Sequence, residues 1–224
     1  MKTALLFDID GTLLRAPGLG RPAFSEAFEV AYGVPANFDS VSFVGATDTA
    51  VIREMANKLG IESTVAQEEH FYIELTHRLD PRLRQGPLLV YPGVRELLTL
   101  LTNAGYLLGI VTGNIRATAW GKLIHSGLAD AFSFGAYSTD HPDRDELSKL
   151  AVRRAHALGA DVRLLIGDTP KDVQAAHAAS LPCLAVTTGW VDGVQLNAAG
   201  ADQLIDGFSN TARAFTTIQG FCHD

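Results

Sequence analysis

Near the start of the chain stands the run Leu5-Leu6-Phe7-Asp8-Ile9-Asp10-Gly11-Thr12-Leu13-Leu14. A short apolar run that stops at a turn signal is typical of a buried strand in a parallel sheet. Ligands of open α/β sheets bind beyond the carboxyl ends of the strands, so we expect Asp8 and Asp10 at the mouth of a site. Because side chains alternate along a strand, both carboxylates point to the same side if the chain stays extended past Asp8.

Two interpretations of this acidic pair are open. Asp8 and Asp10 repel each other at such a spacing, and a bound cation relieves that repulsion. Mg²⁺ prefers hard oxygen ligands and keeps several waters, which suits one or two carboxylates together with a phosphate. Alternatively, the pair caps a turn in which Gly11 supplies a positive φ. The buried strand before the pair and the hydroxyl of Thr12 favour a site.

Composition limits the class of protein. The chain has 224 residues, of which 47% are hydrophobic and 19% charged, as in a soluble globular protein with one large domain or one domain with an insertion. The net charge of −7 argues against a nucleic-acid partner, and the apolar runs are too short for a membrane span. Cys183 and Cys222 have no metal-ligand spacing, and residues 1–3 show no signal-peptide pattern. We therefore expect a cytoplasmic protein; a monomer and a homodimer are both open.

The part of the chain after the first strand is predicted to be helical. Turn and cap residues predict helices over residues 22–32, 48–59 and 65–79, the last broken by Pro81. No convincing strand interrupts this block, although loops between helices and strands of a continuing sheet are short. We therefore predict a helical cap at residues 15–85, inserted into a core formed by residues 1–14 and 86–224.

The remaining residues alternate between apolar runs and helical patterns. Strands are predicted at residues 106–111, 131–136, 163–166, 184–186 and 203–205. Helices are predicted between them, including residues 94–102 and 147–158. This alternation predicts an α/β fold with a doubly wound parallel sheet.

Polar residues follow two of these predicted strands. Thr112-Gly113-Asn114 could bind phosphate oxygens through the threonine hydroxyl and backbone N–H groups, or could cap the next helix. Further on, Asp168 follows the strand at 163–166 directly. Thr169, Pro170 and Asp172 resemble a capping box, which explains Asp172 but leaves Asp168 without a structural role.

These motifs together resemble the haloacid dehalogenase superfamily of phosphohydrolases. The resemblance rests on DxDGT at 8–12, TGN at 112–114 and GDxxxD at 167–172. It implies that Asp8 is the nucleophile, that Asp10 is the general acid/base, and that Asp168 and Asp172 join Asp8 and the Asp10 carbonyl around Mg²⁺. Among the branches of the superfamily, the phosphoglycolate phosphatase and β-phosphoglucomutase branch, which has a helical cap, is the most similar.

The superfamily also places a Lys or Arg before the helix that precedes its last motif, to neutralise the phosphate. Arg144 and Lys149 are the candidates here, and the usual lysine-proline form is absent. We favour Arg144, because it lies at the predicted helix start and a guanidinium matches phosphate geometry. The alternative is that Arg144 pairs with Asp140, Asp143 or Asp145 in a solvated run of charges.

The expected activity is Mg²⁺-dependent hydrolysis of a small phosphate monoester through an aspartyl-phosphate. A phosphomutase would use the same site, whereas a haloacid dehalogenase needs neither Asp10 nor Asp168, and a non-catalytic binding module would not need the full set. We expect Arg21, Thr47 and Asp48 to contact the leaving group, although Thr47 and Asp48 would serve equally as helix caps.

Overall fold

The computed structural model describes residues 2–222 and contains one large parallel sheet. The strands of the chain are β1 (Lys2–Phe7), β2 (Leu14–Arg15), β3 (Leu89–Val90), β4 (Leu107–Val111), β5 (Phe132–Ala136), β6 (Ala160–Gly167), β7 (Cys183–Val186) and β8 (Gln203–Ile205). All except β2 and β3 form the sheet, in the order β5-β4-β1-β6-β7-β8, and each neighbouring pair is parallel. The first strand therefore lies near the middle of the sheet.

Helices cover both faces of this sheet. The helices are α1 (Gly20–Tyr32), α2 (Asp48–Lys58), α3 (Val65–Gln85), α4 (Val94–Asn103), α5 (Arg116–His125), α6 (Arg144–Ala157), α7 (Pro170–Ala178), α8 (Gly193–Ala198) and α9 (Thr211–Cys222). Leu5 and Phe7 of β1 belong to the apolar cluster formed with α4, α5 and α9, whereas Ala4 and Leu6 belong to the one formed with α6 and α7. Because side chains alternate along β1, this strand contributes to the apolar clusters on both faces of the sheet. The predicted doubly wound α/β fold is confirmed.

The three helices α1, α2 and α3 have an apolar cluster of their own. Phe24 and Phe28 of α1, Ile52 of α2 and Phe71 of α3 are all buried in it. The rings of Phe24 and Phe71 meet edge to face at 4.7 Å between centroids, a favoured aromatic geometry. These helices therefore pack primarily on one another rather than into the sheet.

Helix α3 corrects one prediction. The helix was expected to break at Pro81, but it continues to Gln85 with the proline inside it. A proline in a helix loses one backbone hydrogen bond, which usually ends the helix. Here Leu79 and Leu83, on either side of the proline, are both buried in the apolar cluster of α1 to α3. Burial of that helical face continues past Pro81 and outweighs the missing bond.

The connection to the sheet differs in a smaller way from the prediction. Leu14–Arg15 pairs antiparallel with Leu89–Val90, so one residue of the segment expected to be free of strands lies in a short ribbon. Two-residue strands carry no periodicity that a sequence pattern could reveal. The short helix α8 and the final helix α9 were likewise not predicted. Among residues 2–222, no helix is both long and apolar enough to cross a bilayer.

Candidate active site

The side chains expected at the site follow three adjacent strands. Asp8 comes directly after β1, Thr112 after β4 and Asp168 after β6. Because β4, β1 and β6 are neighbours and parallel, their carboxyl ends lie side by side at one edge of the sheet. All three side chains are buried there. The topology of the sheet thus brings together residues that are far apart in sequence.

Two glycines make room for the carboxylate of Asp168. A Cβ on Gly11 would lie 2.1 Å from Asp168 Oδ2, and a Cβ on Gly189 would lie 1.7 Å from the same atom. Gly11 also has φ +90°, a conformation that other residues rarely adopt. The hydroxyl of Thr188 donates to the Gly11 carbonyl at 2.6 Å and fixes the two loops together. Only glycine at these two positions allows the backbone to approach Asp168 so closely.

Asp8, Asp168 and Asp172 form a buried acidic cluster. One carboxylate oxygen from each lies within 4.8 Å of the others. Asp168 Oδ1 accepts a hydrogen bond from Thr12 at 3.2 Å, whereas the buried Oδ2 has no hydrogen-bond partner among residues 2–222. Burial raises the pKa of Asp8 to about 7 and that of Asp168 to about 9, and neighbouring carboxylates add to each rise. A divalent cation with hard oxygen ligands fits this cluster, because it would satisfy the free oxygen and offset the repulsion.

Arg144 lies against this acidic cluster. Its Nη2 is 2.7 Å from Asp8 Oδ1 and also donates to Asp172 Oδ1, and its side chain is only 7% exposed. Its buried Nε has no hydrogen-bond partner within the described part of the chain. Although burial disfavours the charged guanidinium, the carboxylates of Asp172 and Asp8 raise the pKa of Arg144 above its ordinary value. Arg144 therefore supplies a permanent positive charge beside Asp8.

The other candidate cation lies outside the site. Lys149 is 40% exposed on α6 and pairs with Glu146 at 2.8 Å. The acids proposed as alternative partners of Arg144 are engaged elsewhere. Asp140 pairs with Arg154, and Asp143 caps α6 through its side chain. The solvated charge run therefore does not include the guanidinium of Arg144.

Asp172 forms the predicted capping box and also contacts Arg144. Its carboxylate accepts from the backbone and hydroxyl of Thr169, which completes the capping box at the start of α7. The other oxygen accepts from Arg144. A carboxylate fixed in this way is held rigidly beside Asp8 and Asp168, and it orients the guanidinium as well.

Asp10 belongs to a second polar group, on the α5 side of the site. Lys122 Nζ donates to Asp10 Oδ1 at 2.8 Å and Oδ2 at 2.6 Å, and to Asn114 Oδ1 at 2.7 Å. The amide of Asn114 donates to Asp10 Oδ2 and to Thr112 Oγ1, both at 2.7 Å. Asp8 and Asp10 are thus held by different cations, Arg144 and Lys122.

Sequence reasoning missed Lys122. Asn114, Thr118 and Lys122 are spaced four residues apart, and all three line the same cavity. Thr118 and Lys122, four residues apart on α5, share one side of that helix, and Asn114 comes two residues before the helix starts. That spacing is the one signal in the sequence that could have identified this lysine.

The loop that starts α2 is bonded to the sheet layer. Asp48 N donates to the Gly113 carbonyl at 2.7 Å, and Asp48 Oδ2 accepts from Ile115 N at 2.8 Å. The Thr47 hydroxyl donates to the Pro142 carbonyl at 2.6 Å, while the same side chain caps α2. Burial raises the pKa of Asp48 to about 6, although the Ile115 bond acts against that rise. Thr47 thus caps α2, and both Thr47 and Asp48 bond the start of α2 to the loops of the sheet layer.

A cavity of about 630 Å³ lies between the sheet edge and the helical segment. Its sheet side includes Asp8, Thr112, Gly113 and Arg144, and its opposite side includes Arg21. Other residues from the helical segment add the apolar side chains of Phe24, Phe43, Leu75 and Leu79.

Arg21 is the least firmly held of the predicted site residues. Its side chain is 50% exposed, lies 4.8 Å over the ring of Phe43, and donates to the Phe38 carbonyl at 2.7 Å. It reaches no other predicted site residue directly. Trp190, at the rim of the cavity, is also exposed. The cavity is therefore charged on its sheet side and more open and partly apolar opposite it.

The fold and this set of side chains define a class of protein. Residues 5–186 match the model of the haloacid dehalogenase-like hydrolase family. The chain belongs to this family, which confirms the resemblance drawn from its motifs and the prediction that it is a hydrolase.

Individual relatives cover nearly the whole chain. It is 31% identical to the "Probable phosphatase IndB" of Dickeya dadantii over 96% of this chain and 94% of the relative. It is 27% identical to a phosphoglycolate phosphatase of Rhodobacter capsulatus, over 85% and 86% of the two chains. The crystal structure of a mutant of CbbY from Rhodobacter sphaeroides in complex with xylulose-(1,5)bisphosphate has a TM-score of 0.72 at 22% identity, and the match covers 93% of this chain and 96% of that one. At that identity the likeness to CbbY shows the fold alone.

Proposed function

We propose that this protein hydrolyses a small-molecule phosphate monoester with Mg²⁺ through an aspartyl-phosphate on Asp8. The observation that carries this proposal is the contact of Asp8 with Arg144 beside the acidic cluster, at the bottom of an open cavity. A carboxylate nucleophile needs a fixed position and an electrophile whose charge is offset by nearby cations. The buried contact between Asp8 and Arg144 supports both conditions.

In the first step an oxygen of Asp8 attacks phosphorus in line, and the bond from phosphorus to the ester oxygen breaks. Arg144 offsets the negative charge on the transferring phosphoryl group. Thr112 and the N–H groups of Gly113 and Asn114 are the proposed contacts for the other phosphate oxygens. Asp10 gives a proton to the departing alkoxide, which leaves as an alcohol.

In the second step the aspartyl-phosphate is hydrolysed. Asp10, now a carboxylate, takes a proton from water, and the resulting hydroxide attacks phosphorus. The bond to Asp8 breaks, inorganic phosphate leaves, and Asp8 and Asp10 return to their starting states. Water and the ester have then become phosphate and an alcohol.

Asp8, Asp168 and the Asp10 carbonyl would hold Mg²⁺, with Asp172 acting through a water or through its hold on neighbouring groups. The metal would supply charge neutralisation at the phosphate and align it with Asp8. The free Oδ2 of Asp168 and the mutual repulsion of the cluster support this assignment.

Residues 15–85 act, in this proposal, as a cap that closes over the substrate and contacts its leaving group. Several relatives are named phosphoglycolate phosphatases, and Arg21 is a cation that could contact a carboxylate such as that of phosphoglycolate. We accordingly propose a small phosphate ester with a second anionic group as the substrate, in the cytoplasm. A phosphomutase with the same chemistry would return an isomeric phosphate instead of inorganic phosphate.

The test is a panel of phosphate esters assayed with Mg²⁺ for released inorganic phosphate and for isomeric products. We expect phosphate release that disappears in excess EDTA and in Asp8→Asn. An exposed acid in the same segment as Arg21, Asp39, supplies the matched control Asp39→Asn, which should keep full activity. Substantial turnover by verified Asp8→Asn protein would refute the aspartyl-phosphate, and an isomeric product without phosphate would identify a mutase.

A further inference from the structure

Lys122 is a nearly buried lysine whose described contacts all lie inside the site. Its side chain is 9% exposed, and its ammonium makes three hydrogen bonds, two to Asp10 and one to Asn114. An ammonium has three N–H donors, so these bonds use its full capacity. Burying such a charge is unfavourable unless it is paired. The pairing that keeps Lys122 in place is therefore with the proposed acid/base, Asp10.

The carboxylate of Asp10 is oriented by Lys122 and Asn114 together. Asp10 lies in the turn after β1, and its side chain is 29% exposed, so packing alone does not fix it. Asn114 adds one bond to Asp10 and connects it to Thr112. The chain Lys122–Asp10–Asn114–Thr112 thus links α5 to the ends of β1 and β4. Removing the ammonium would leave Asp10 with one of its two oriented donors.

Lys122 also contributes a positive charge to the Asp10 side of the cavity. The cavity contains the carboxylates of Asp8, Asp10 and Asp48, and a phosphate ester brings further negative charge. Arg144 is bonded to the Asp8 side of the cavity, and Lys122 is bonded to the Asp10 side and interacts electrostatically with Asp48. Without Lys122, this side of the cavity would lose the cation that offsets its negative charge, and Asp10 would lose its orientation.

We infer that Lys122 is a positioning residue that acts through Asp10 in the departure of the leaving group, an inference that rests on the proposed phosphatase activity. The competing interpretation is that Lys122 only ties α5 to the turn after β1. The two differ in what they imply for substrates. A residue that acts through the general acid matters most when the leaving group is a poor one, whereas a structural tie affects all substrates alike.

The experiment compares Lys122→Met with the wild-type enzyme on 4-nitrophenyl phosphate, phenyl phosphate and an alkyl phosphate such as glycerol phosphate. The value of kcat/KM covers the steps up to departure of the leaving group, so hydrolysis of the phospho-enzyme, common to all three, does not enter. We expect a loss of about 10²-fold on the alkyl ester, the low end of what a general acid contributes, and a much smaller loss on the nitrophenyl ester. The matched control is Lys58→Met, which replaces an exposed lysine paired with Glu54 on α2. It should leave kcat/KM unchanged on all three esters.

A double-mutant cycle with Asp10→Asn completes the test. If Lys122 acts through Asp10, adding Lys122→Met to Asp10→Asn costs nothing more. Equal losses on all esters, or losses that add to those of Asp10→Asn, would overturn the inference. Lys122→Gln repeats the measurement if the methionine variant does not fold, and failure of both to fold would leave only the structural tie. Wild-type enzyme inactive on every ester would refute the proposed function itself, which a uniform loss in an active enzyme would not.

Discussion

The two sides of the cavity are built differently. On the sheet side, Asp8 and Arg144 are each 7% exposed and lie 2.7 Å apart, and Asp168 and Asp172 beside them are almost fully buried. On the opposite side, Arg21 is half exposed, and its acidic neighbour Asp39 is exposed and lies 3.7 Å away. Charges close together in a low-dielectric site interact strongly, whereas exposed pairs contribute little. In the proposed function, the rigid half, on the sheet side, binds the phosphate, and the adaptable half, opposite it, binds the rest of the substrate.

The largest effect on rate is expected when the guanidinium is removed from the rigid half. Arg144→Ala should lower kcat/KM by about 10²–10³-fold on every phosphate ester, the range found when one preorganised charge-stabilising donor is removed. Lys149→Ala is the matched comparison on the same helix, and it should leave the rate unchanged because Lys149 pairs only at the surface. The reverse result would reassign the phosphate-neutralising residue to Lys149.

Metal binding should also act only on the rigid half. Mg²⁺ at 100 times its Kd should stabilise the protein by about 2.7 kcal/mol, which is a rise in Tm of roughly 5–10 °C for a chain of this size. Asp168→Asn should lose that rise without being less stable in EDTA, because it removes a carboxyl whose pKa burial and neighbouring acids raise. Calorimetry with and without Mg²⁺ checks both, and an unchanged rise in Asp168→Asn would remove Asp168 from the metal site.

A smaller, substrate-dependent effect is expected at the adaptable half. Arg21→Ala should lower kcat/KM about tenfold on a substrate with a second anionic group, which corresponds to one hydrogen bond to a charged group. On a small aryl phosphate it should have little effect, because that ester does not extend to Arg21. Losses of the same size on both substrates, together with a lower Tm, would mean that Arg21 only holds the segment together.

The smallest effect is expected at Asp48, where the two halves meet. Its pKa is raised from 3.8 to about 6, mainly by burial, with Asp10 adding to the rise and Ile115 N and Lys122 acting against it. A raised carboxyl pKa gives stability that is fully present below about pH 4 and lost as the pH rises through 6. The difference in Tm between Asp48→Asn and the wild type should therefore increase by a few degrees in favour of the variant as the pH rises from 4 to 7.

Asp39→Asn is the matched control for this pH series, because the Asp39 carboxylate is exposed. Its Tm difference from wild type should stay constant over the same interval. A constant difference for Asp48→Asn as well would show that the junction between the two halves does not depend on the charge of Asp48.

Much of the rigid half could be predicted from sequence. Asp8, Thr112 and Asp168 each follow an apolar run, and parallel strands end at the same edge of a sheet. This rule about strand ends requires only the order of strands and helices along the chain, so local sequence patterns were sufficient to predict these three site residues. The capping box of Thr169 and Asp172 is equally local, since its partners lie three residues apart. The helical nature of residues 20–85 followed in the same way from helix start and stop signals, apart from the continuation through Pro81.

What sequence could not give were contacts between residues distant along the chain. The bond from Arg144 to Asp172 spans 28 residues, that from Asp48 to Ile115 spans 67, and that from Lys122 to Asp10 spans 112. Each depends on how two elements pack, to within a fraction of an ångström, and no local pattern encodes that distance. The sequence alone therefore determined the strand ends, the acids that stand there and the family. Only the tertiary structure decided which cation faces which acid, because burial and partner distance arise only when the layers come together.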